Sequence, residues 1–153
     1  MLLINAFYLV RIYRSNENFD LLAFKAGDEL INKFLAFHQK DIKAYFPDYD
    51  PADETNDINF IVLRDMVIAN IFAASLMKDG TAIVKINYTT PKYRDYKIGK
   101  FLFHKEKQFL RAHGIRRLVY THVFNKKHEA YLLKMGFEKE LLNEQVYYHK
   151  HID

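Results

Sequence analysis

Residues 81–114, TAIVKINYTTPKYRDYKIGKFLFHKEKQFLRAHG, place a basic turn between a strand pattern and a helix pattern. Residues 81–90 are rich in β-branched and aromatic residues, which is typical of a strand. From Ile98 onward, apolar residues recur at the 3.6-residue period of a helix, which Gly114 is predicted to end. Residues 116–124, RRLVYTHVF, are predicted to form the next strand. A strand, a crossover helix and another strand favour a parallel pair.

The segments on either side of this unit also alternate between strand and helix periods. Those upstream are predicted to form a strand, a helix and two further strands, in the ranges 21–25, 28–46, 58–65 and 66–77. Those downstream are predicted to form a helix and a hairpin, in the ranges 126–135 and 140–152. Because strands joined by hairpins pair antiparallel, we predict an α/β (α+β) fold. It consists of one domain with a mixed, mostly antiparallel central sheet flanked by helices.

The composition of the chain bounds its class. Its 153 residues match one ordinary domain, and a hydrophobic fraction of 50% suffices for a buried core. The net charge of +4 permits an anionic partner, but no basic run indicates a nucleic acid, and none is predicted. With no cysteine, the chain offers no thiolate nucleophile. No spacing of its histidines and acidic residues indicates a metal site, so no metal is predicted.

Residues 1–18 are predicted to form an apolar extension, most simply a helix, before a domain that spans residues 19–153. The stretch MLLINAFYLV is too short for a bilayer span, which takes about 20 apolar residues. One interpretation is a helix or strand packed on the core. The other is the cytoplasmic end of a membrane helix, with residues 1–14 at the membrane and Arg11 and Arg14 as positive-inside residues. We therefore expect a cytoplasmic location, with the inner face of a membrane as the alternative.

The basic turn has the features of a phosphate site. A helix that begins near Ile98 presents unpaired backbone N–H groups at its amino end, where the helix dipole favours anions. Arg94, Lys97 and Lys100 surround this end with positive charge, and Gly99 allows a close approach of the backbone. The alternative is a surface loop with scattered charges.

Two segments resemble the GCN5-related N-acetyltransferases. Residues 81–115 resemble the fourth strand, pyrophosphate loop and third helix of that family. The characteristic positions are occupied here by Pro91, Tyr93, Arg94, Ile98 and Gly99. Residues 125–140, NKKHEAYLLKMGFEKE, resemble the later family motif, in which an Asn starts a short helix that ends in a Gly-Phe pair. The resemblance implies a domain that binds acetyl-CoA or another acyl-CoA and passes the acyl group to an amine acceptor.

The resemblance also implies which residues would hold the cofactor. The pantetheine arm would bind the backbone of Ile86, Asn87 and Tyr88, in a gap where two strands splay apart. The pyrophosphate would bind the loop of Arg94, Asp95, Lys97, Ile98, Gly99 and Lys100. Asn125 would touch the pantetheine or shape the thioester pocket. Asp95 and Lys97 stand where the family commonly has Gly, which poses the question of whether charge replaces a closer backbone approach.

The candidate catalytic residues are Tyr120, His122 and Tyr131. The family's proton donor to the departing thiolate is a Tyr four residues before the Gly of the Gly-Phe pair, and Leu132 occupies that position here. Tyr131 is adjacent but turned by about 100° on a helix. Tyr120 and His122 are two residues apart on a predicted strand, so they should share one face of the sheet.

Two functions remain open at this point. The first is an acyl-CoA-dependent N-acyltransferase that acts by direct attack of a neutral amine on the thioester. The second is a catalytically degenerate module of the same fold that binds coenzyme A or regulates, as the cytoplasmic part of a membrane protein or on its own. Leu132 and the scarcity of glycine in the loop favour the second, and the order of elements favours the first.

Overall fold

The computed structural model describes residues 12–14, 19–25, 28–53, 55–96, 98–123 and 125–152. The strands are β1 Ile12–Arg14, β2 Phe19–Ala23, β3 Ile58–Arg64, β4 Val67–Leu76, β5 Thr81–Thr89, β6 Arg117–Tyr120, β7 Glu138–Leu142 and β8 Gln145–His151. The helices are α1 Glu29–Phe37, α2 Gln39–Tyr45, α3 Ile98–Lys100, α4 Lys107–Ala112 and α5 Lys126–Lys134. A 3₁₀ turn, Pro91–Tyr96, precedes α3, and a π-helical turn, Phe101–Lys105, joins α3 to α4.

Within these ranges the strands form one eight-stranded sheet in the order β1-β2-β3-β4-β5-β6-β8-β7. All neighbouring strands are antiparallel except β5 and β6, which are parallel. The parallel pair arises because the helical stretch from Ile98 to Ala112 carries the chain from the end of β5 back to the start of β6. The predicted mixed, mostly antiparallel sheet flanked by helices is confirmed.

The sheet is covered on both faces by apolar side chains. On one face Ile31 of α1 and Ile42 of α2 pack with Ile86 and Tyr88 of β5. On the other, the stretch from α3 to α4 and helix α5 pack on a larger cluster, in which the Phe60 and Phe109 rings lie 5.0 Å apart. Because successive side chains of a strand point to opposite faces, Asn87 lies on the second face, between Ile86 and Tyr88.

Three predicted elements differ in detail from the structure. The helix predicted over 28–46 is divided at His38, whose φ of −99° and ψ of 12° end α1 before α2 begins. The His38 ring packs against the rings of Phe34, Phe37 and Tyr88. The helix predicted over 98–113 contains the π turn, and the strand predicted over 116–124 ends at Tyr120.

Part of the predicted amino-terminal extension is described. Residues 12–14 form a strand rather than a helix, and they pair antiparallel with β2 at the sheet edge. Residues 1–11 and 15–18 lie outside the described residues, so the membrane contact and the boundary at residue 18 stay predictions. None of the helices in the described part of the chain has the length and apolar character needed to cross a membrane.

Candidate active site

A gap opens between β5 and β6 because the two strands pair only briefly. Their last pair is Ile83 with Val119. Close to this point the β4–β5 register shifts, since Ala73 pairs with Ile86 and Ala74 with Val84. The residue between those two partners, Lys85, is a bulge that bends β5. In the described ranges no strand therefore pairs with the β6 side of residues 86–89, which is where the backbone of Ile86, Asn87 and Tyr88 was predicted to hold a pantetheine arm.

A chain of polar side chains lines the gap. Asn70 of β4 is fully buried, and its Nδ2 donates to Asn87 Oδ1 at 2.8 Å and to Thr89 Oγ1 at 2.9 Å. Asn87 Nδ2 in turn donates to the Tyr120 hydroxyl at 3.0 Å, and the Asn87 amide also lies near the Tyr131 hydroxyl. Because Asn70 occupies the Asn87 oxygen, the Asn87 amide is held with its N–H groups toward the two tyrosines.

Both tyrosine hydroxyls in the gap keep their protons at neutral pH. Burial raises the pKa of Tyr131 to about 12, although the nearby Asn87 amide opposes the shift. Burial, followed by the nearby Tyr131, raises the pKa of Tyr120, again against the Asn87 hydrogen bond. The Tyr120 hydroxyl accepts from Asn87, so its own O–H remains available to donate.

The orientation of helix α5 determines which of its side chains faces the gap. Its first turn is capped by Asn125, whose Oδ1 accepts from the His128 backbone N–H at 2.9 Å. Leu132 is fully buried in the core cluster, whereas Tyr131 is half-buried and packs at its margin. The position at which the resemblance expects a Tyr therefore belongs to the core, and its neighbour supplies a hydroxyl. Asn125 stays a predicted pantetheine contact, for which its amide group is available.

Gly99 provides room for the Tyr131 ring. A Cβ atom at Gly99 would overlap the Tyr131 hydroxyl and lie 3.0 Å from Tyr131 Cζ and 3.2 Å from the Met135 sulfur. The glycine is therefore needed where the first turn of α3 crosses α5, in addition to any role at a phosphate. Ile98 is buried, Lys100 is exposed, and Lys97 lies outside the described residues, as does the side chain of Asp95.

Gly99→Ala is expected to lower the free energy of unfolding by about 1–3 kcal/mol, the usual cost of overpacking. The added methyl group must displace the Tyr131 ring or move α3 away from α5. Chemical denaturation of the variant measures the loss. In the background of Tyr131→Ala the same change should cost clearly less, and an equal cost in both backgrounds would contradict the contact.

Arg94 points to the α1–α2 face instead of the first turn of α3. Its Nη2 lies 3.0 Å from Asp41 Oδ2, and its Nε donates to the Thr89 carbonyl at 3.0 Å. The Tyr88 hydroxyl donates to the same Asp41 oxygen at 2.5 Å, and burial together with this bond raises the pKa of Tyr88. Sequence reasoning missed Asp41, because 53 residues separate it from Arg94 and nothing local indicates the contact.

Two histidines lie near the gap, and only His122 was among the predicted candidates. Since β6 ends at Tyr120, His122 lies beyond the strand, with Tyr120 buried and His122 exposed, and their shared face stays a prediction. The missed residue is His128, whose ring lies 5.7 Å from the Tyr120 ring and 6.4 Å from the Tyr131 ring. Burial, with a contribution from His122, lowers the pKa of His128, so it is a neutral proton acceptor at neutral pH. Its position one turn before Tyr131 on α5 is the signal that could have found it.

Among the described residues, no three His, Asp or Glu side chains are placed to hold a metal ion. The arrangement offers instead proton donors, a neutral imidazole and an unpaired strand edge. Such a set suits acyl transfer, which needs orientation and proton movement.

No protein-family model matches this sequence, and no curated protein matches it. Solved structures match its fold. A ribosomal-protein-S5-alanine acetyltransferase from Vibrio fischeri shares 13% identity at a TM-score of 0.69, over 94% of this chain and 97% of its own. A GNAT-family acetyltransferase from Staphylococcus aureus shares 12% identity at a TM-score of 0.63, and the match covers 87% of this chain and 99% of that one. A ribosomal L7/L12 alpha-N-protein acetyltransferase, solved with coenzyme A, shares 14% identity at a TM-score of 0.67, and the match covers 94% of this chain and 99% of that one. At such identities the likeness shows the fold alone.

Proposed function

We propose that this chain, which has the fold of the GCN5-related N-acetyltransferases, transfers an acyl group from acetyl-CoA or another acyl-CoA to an amine. The observation that carries the proposal is the Asn87–Tyr120 hydrogen bond, with the Tyr131 hydroxyl nearby, beside the unpaired edge of β5. An open strand edge can bind the amides of a pantetheine arm, and two protonated hydroxyls beside it suit the departure of a thiolate.

The residues around the gap fit the parts of the cofactor. The backbone of residues 86–88 would bind the pantetheine arm along the unpaired edge of β5. The first turn of α3, with the Lys100 ammonium, would bind the diphosphate through backbone N–H groups and charge. Coenzyme A supplies the activated thioester, and this chain orients it.

Tyr131 is proposed as the proton donor to the sulfur. It is half-buried and can meet a ligand in the gap, whereas Tyr120 is only 3% exposed and holds Asn87 in place. His128, neutral and in ring contact with both tyrosines, is proposed to accept the proton that the amine loses. Attack requires a neutral amine, so proton removal is part of the reaction.

The second candidate function is a module that binds coenzyme A without turnover. It is favoured by the burial of Leu132, because the expected position of the acid cannot serve in this chain. Calorimetric titration with acetyl-CoA, followed by an assay of thiol release with a panel of amines, separates the two. Binding with release supports the enzyme, binding without release supports the module, and no heat at millimolar acetyl-CoA would contradict both.

Lys100→Ala is expected to weaken acetyl-CoA binding about 10- to 100-fold, the usual effect of losing one charged hydrogen bond. Lys78→Ala is the matched control, since Lys78 is also an exposed lysine and lies in the hairpin at the other end of β5. Calorimetry measures both affinities. Equal affinities in the two variants would show that the Lys100 ammonium does not contact the diphosphate.

A further inference from the structure

The Arg94 guanidinium is held in a cage that consists of the Asp41 carboxylate and the rings of Tyr45 and Tyr88. Its Cζ lies 5.7 Å from the centre of each ring, within the range of cation–π attraction. Its Nη2 lies 3.0 Å from Asp41 Oδ2. A carboxylate flanked by two aromatic rings has the chemistry of a receptor for an organic cation, and here a cation from the chain itself fills it.

The hold of this cage on Arg94 is weak enough to be exchanged. The Arg94 and Asp41 side chains are 41% and 37% exposed, and ion pairs exposed to this extent contribute little to stability. Arg94 belongs to the turn between β5 and α3, next to the proposed diphosphate site. A diphosphate carries more charge than one carboxylate and can bind a guanidinium through two parallel hydrogen bonds, so it competes well for Arg94.

The cage remains assembled when Arg94 is taken out of it. Tyr88 is 2% exposed, and its hydroxyl donates to Asp41 independently of Arg94. His38 Nδ1 lies 3.4 Å from the same hydroxyl, and Asp41 is carried by α2. A carboxylate held in this way keeps its position for another cation.

The cage also lies within reach of the gap. Tyr88 directly follows Asn87 on β5, so the cage and the tyrosine network are on opposite faces of the same strand. A ligand on the α1–α2 face can therefore place a cation in the cage and extend an amine toward the thioester end of a pantetheine arm bound along β5.

We propose that the cage of Asp41, Tyr45 and Tyr88 is the acceptor subsite, that it takes a guanidinium-like cation distal to the attacked amine, and that Arg94 fills it until coenzyme A binds. This inference rests on the proposed acyltransfer for its use, while the cage itself can be tested without turnover. The acceptor class is a primary amine that carries a second, planar positive group, and coenzyme A must bind before it.

The test measures binding of 4-aminobutylguanidine by calorimetry in the absence of coenzyme A. Its matched control is 4-aminobutylurea, which has the same shape and no charge. Arg94→Ala empties the cage and should bind the guanidine at least about tenfold more tightly than wild type, as one charged hydrogen bond with cation–π contacts predicts. The gain should be absent with the urea and in the double variant Arg94→Ala/Asp41→Asn. Arg94→Gln is measured in parallel, because the glutamine side chain is longer than that of alanine and preserves more of the packing on the Tyr45 and Tyr88 rings.

The same affinity of wild type and Arg94→Ala for the guanidine, or equal binding of guanidine and urea, would overturn the inference. A second arm adds unacylated coenzyme A to wild type, which should increase affinity for the guanidine without permitting transfer. If coenzyme A binds and leaves that affinity unchanged, Arg94 does not act as the exchangeable occupant. If coenzyme A itself does not bind, the proposed function fails, while the Arg94→Ala comparison still decides whether the cage binds a cation.

Discussion

Tyr131→Phe is expected to lower kcat for acetyl transfer about 100- to 1,000-fold while leaving acetyl-CoA affinity near that of wild type. The variant keeps the ring that packs over Gly99 and removes only the hydroxyl beside Asn87. Burial keeps that hydroxyl protonated, with a pKa of about 12, so at neutral pH it carries the proton that the proposed reaction delivers to the departing sulfur. The effect should therefore fall on kcat, because the proton is needed at the sulfur and not for binding.

The matched control for this variant is Tyr147→Phe. The Tyr147 hydroxyl donates to Gln145 Oε1 at 2.7 Å on an exposed part of β8, away from the gap. It should have wild-type kcat and KM. If Tyr131→Phe also turns over at the wild-type rate, the proton reaches the sulfur from another group, and Tyr120→Phe is the next variant to assay.

Leu132→Ala is expected to lower the free energy of unfolding by about 2–5 kcal/mol, the range for truncating a buried leucine. Leu132 is 0% exposed and packs in the core cluster between α5 and the sheet. Its neighbour Leu133 is 49% exposed, so Leu133→Ala should change stability by no more than about 0.5 kcal/mol. Urea denaturation of the two variants measures the difference.

This pair of variants tests the rotation of α5 about its own axis. A large loss for Leu133→Ala with a small one for Leu132→Ala would mean that Leu132, and not Tyr131, faces the gap. The acid would then be absent from α5, and the coenzyme A-binding module would become the better description. The stability of two leucine variants therefore bears on whether the chain has a catalytic acid.

The order of elements could be predicted from the sequence, because local periodicity and turn residues determine it. The parallel pair at residues 81–124 and the burial of Ile98 both follow from such patterns. The identity of the catalytic candidate required the rotation of α5, which depends on packing against the sheet. Leu132 and Tyr131 are adjacent in sequence. Which of the two is buried depends on how α5 packs against the core, and in the structure it is Leu132.

The polar contacts of the site could not be predicted, because they join residues that are distant in the chain. Arg94 was predicted to bind phosphate from its neighbours in sequence, yet its described partner is Asp41, on a helix that precedes β3. Likewise, nothing near Asn70 in the sequence indicates its contact with Asn87, which arises only because β4 pairs with β5. Sequence alone indicates which residues can bear charge or donate hydrogen bonds, but not which of them meet.

The π turn at Phe101–Lys105 changes the rotation, about the helix axis, of the residues before it relative to the residues after it. The Glu106 N–H donates a hydrogen bond to the Phe101 carbonyl, five residues earlier, so this turn contains one residue more than an α-helical turn. One extra residue rotates whatever precedes it by about 100° relative to whatever follows. Both halves are anchored in the core, the carboxyl half by Phe109 and Leu110 and the amino half by Ile98, and the amino half also places Gly99 against Tyr131. The orientation of the proposed diphosphate-binding turn thus depends on one additional residue, and deleting it would rotate that turn together with the core residue Ile98 relative to α4.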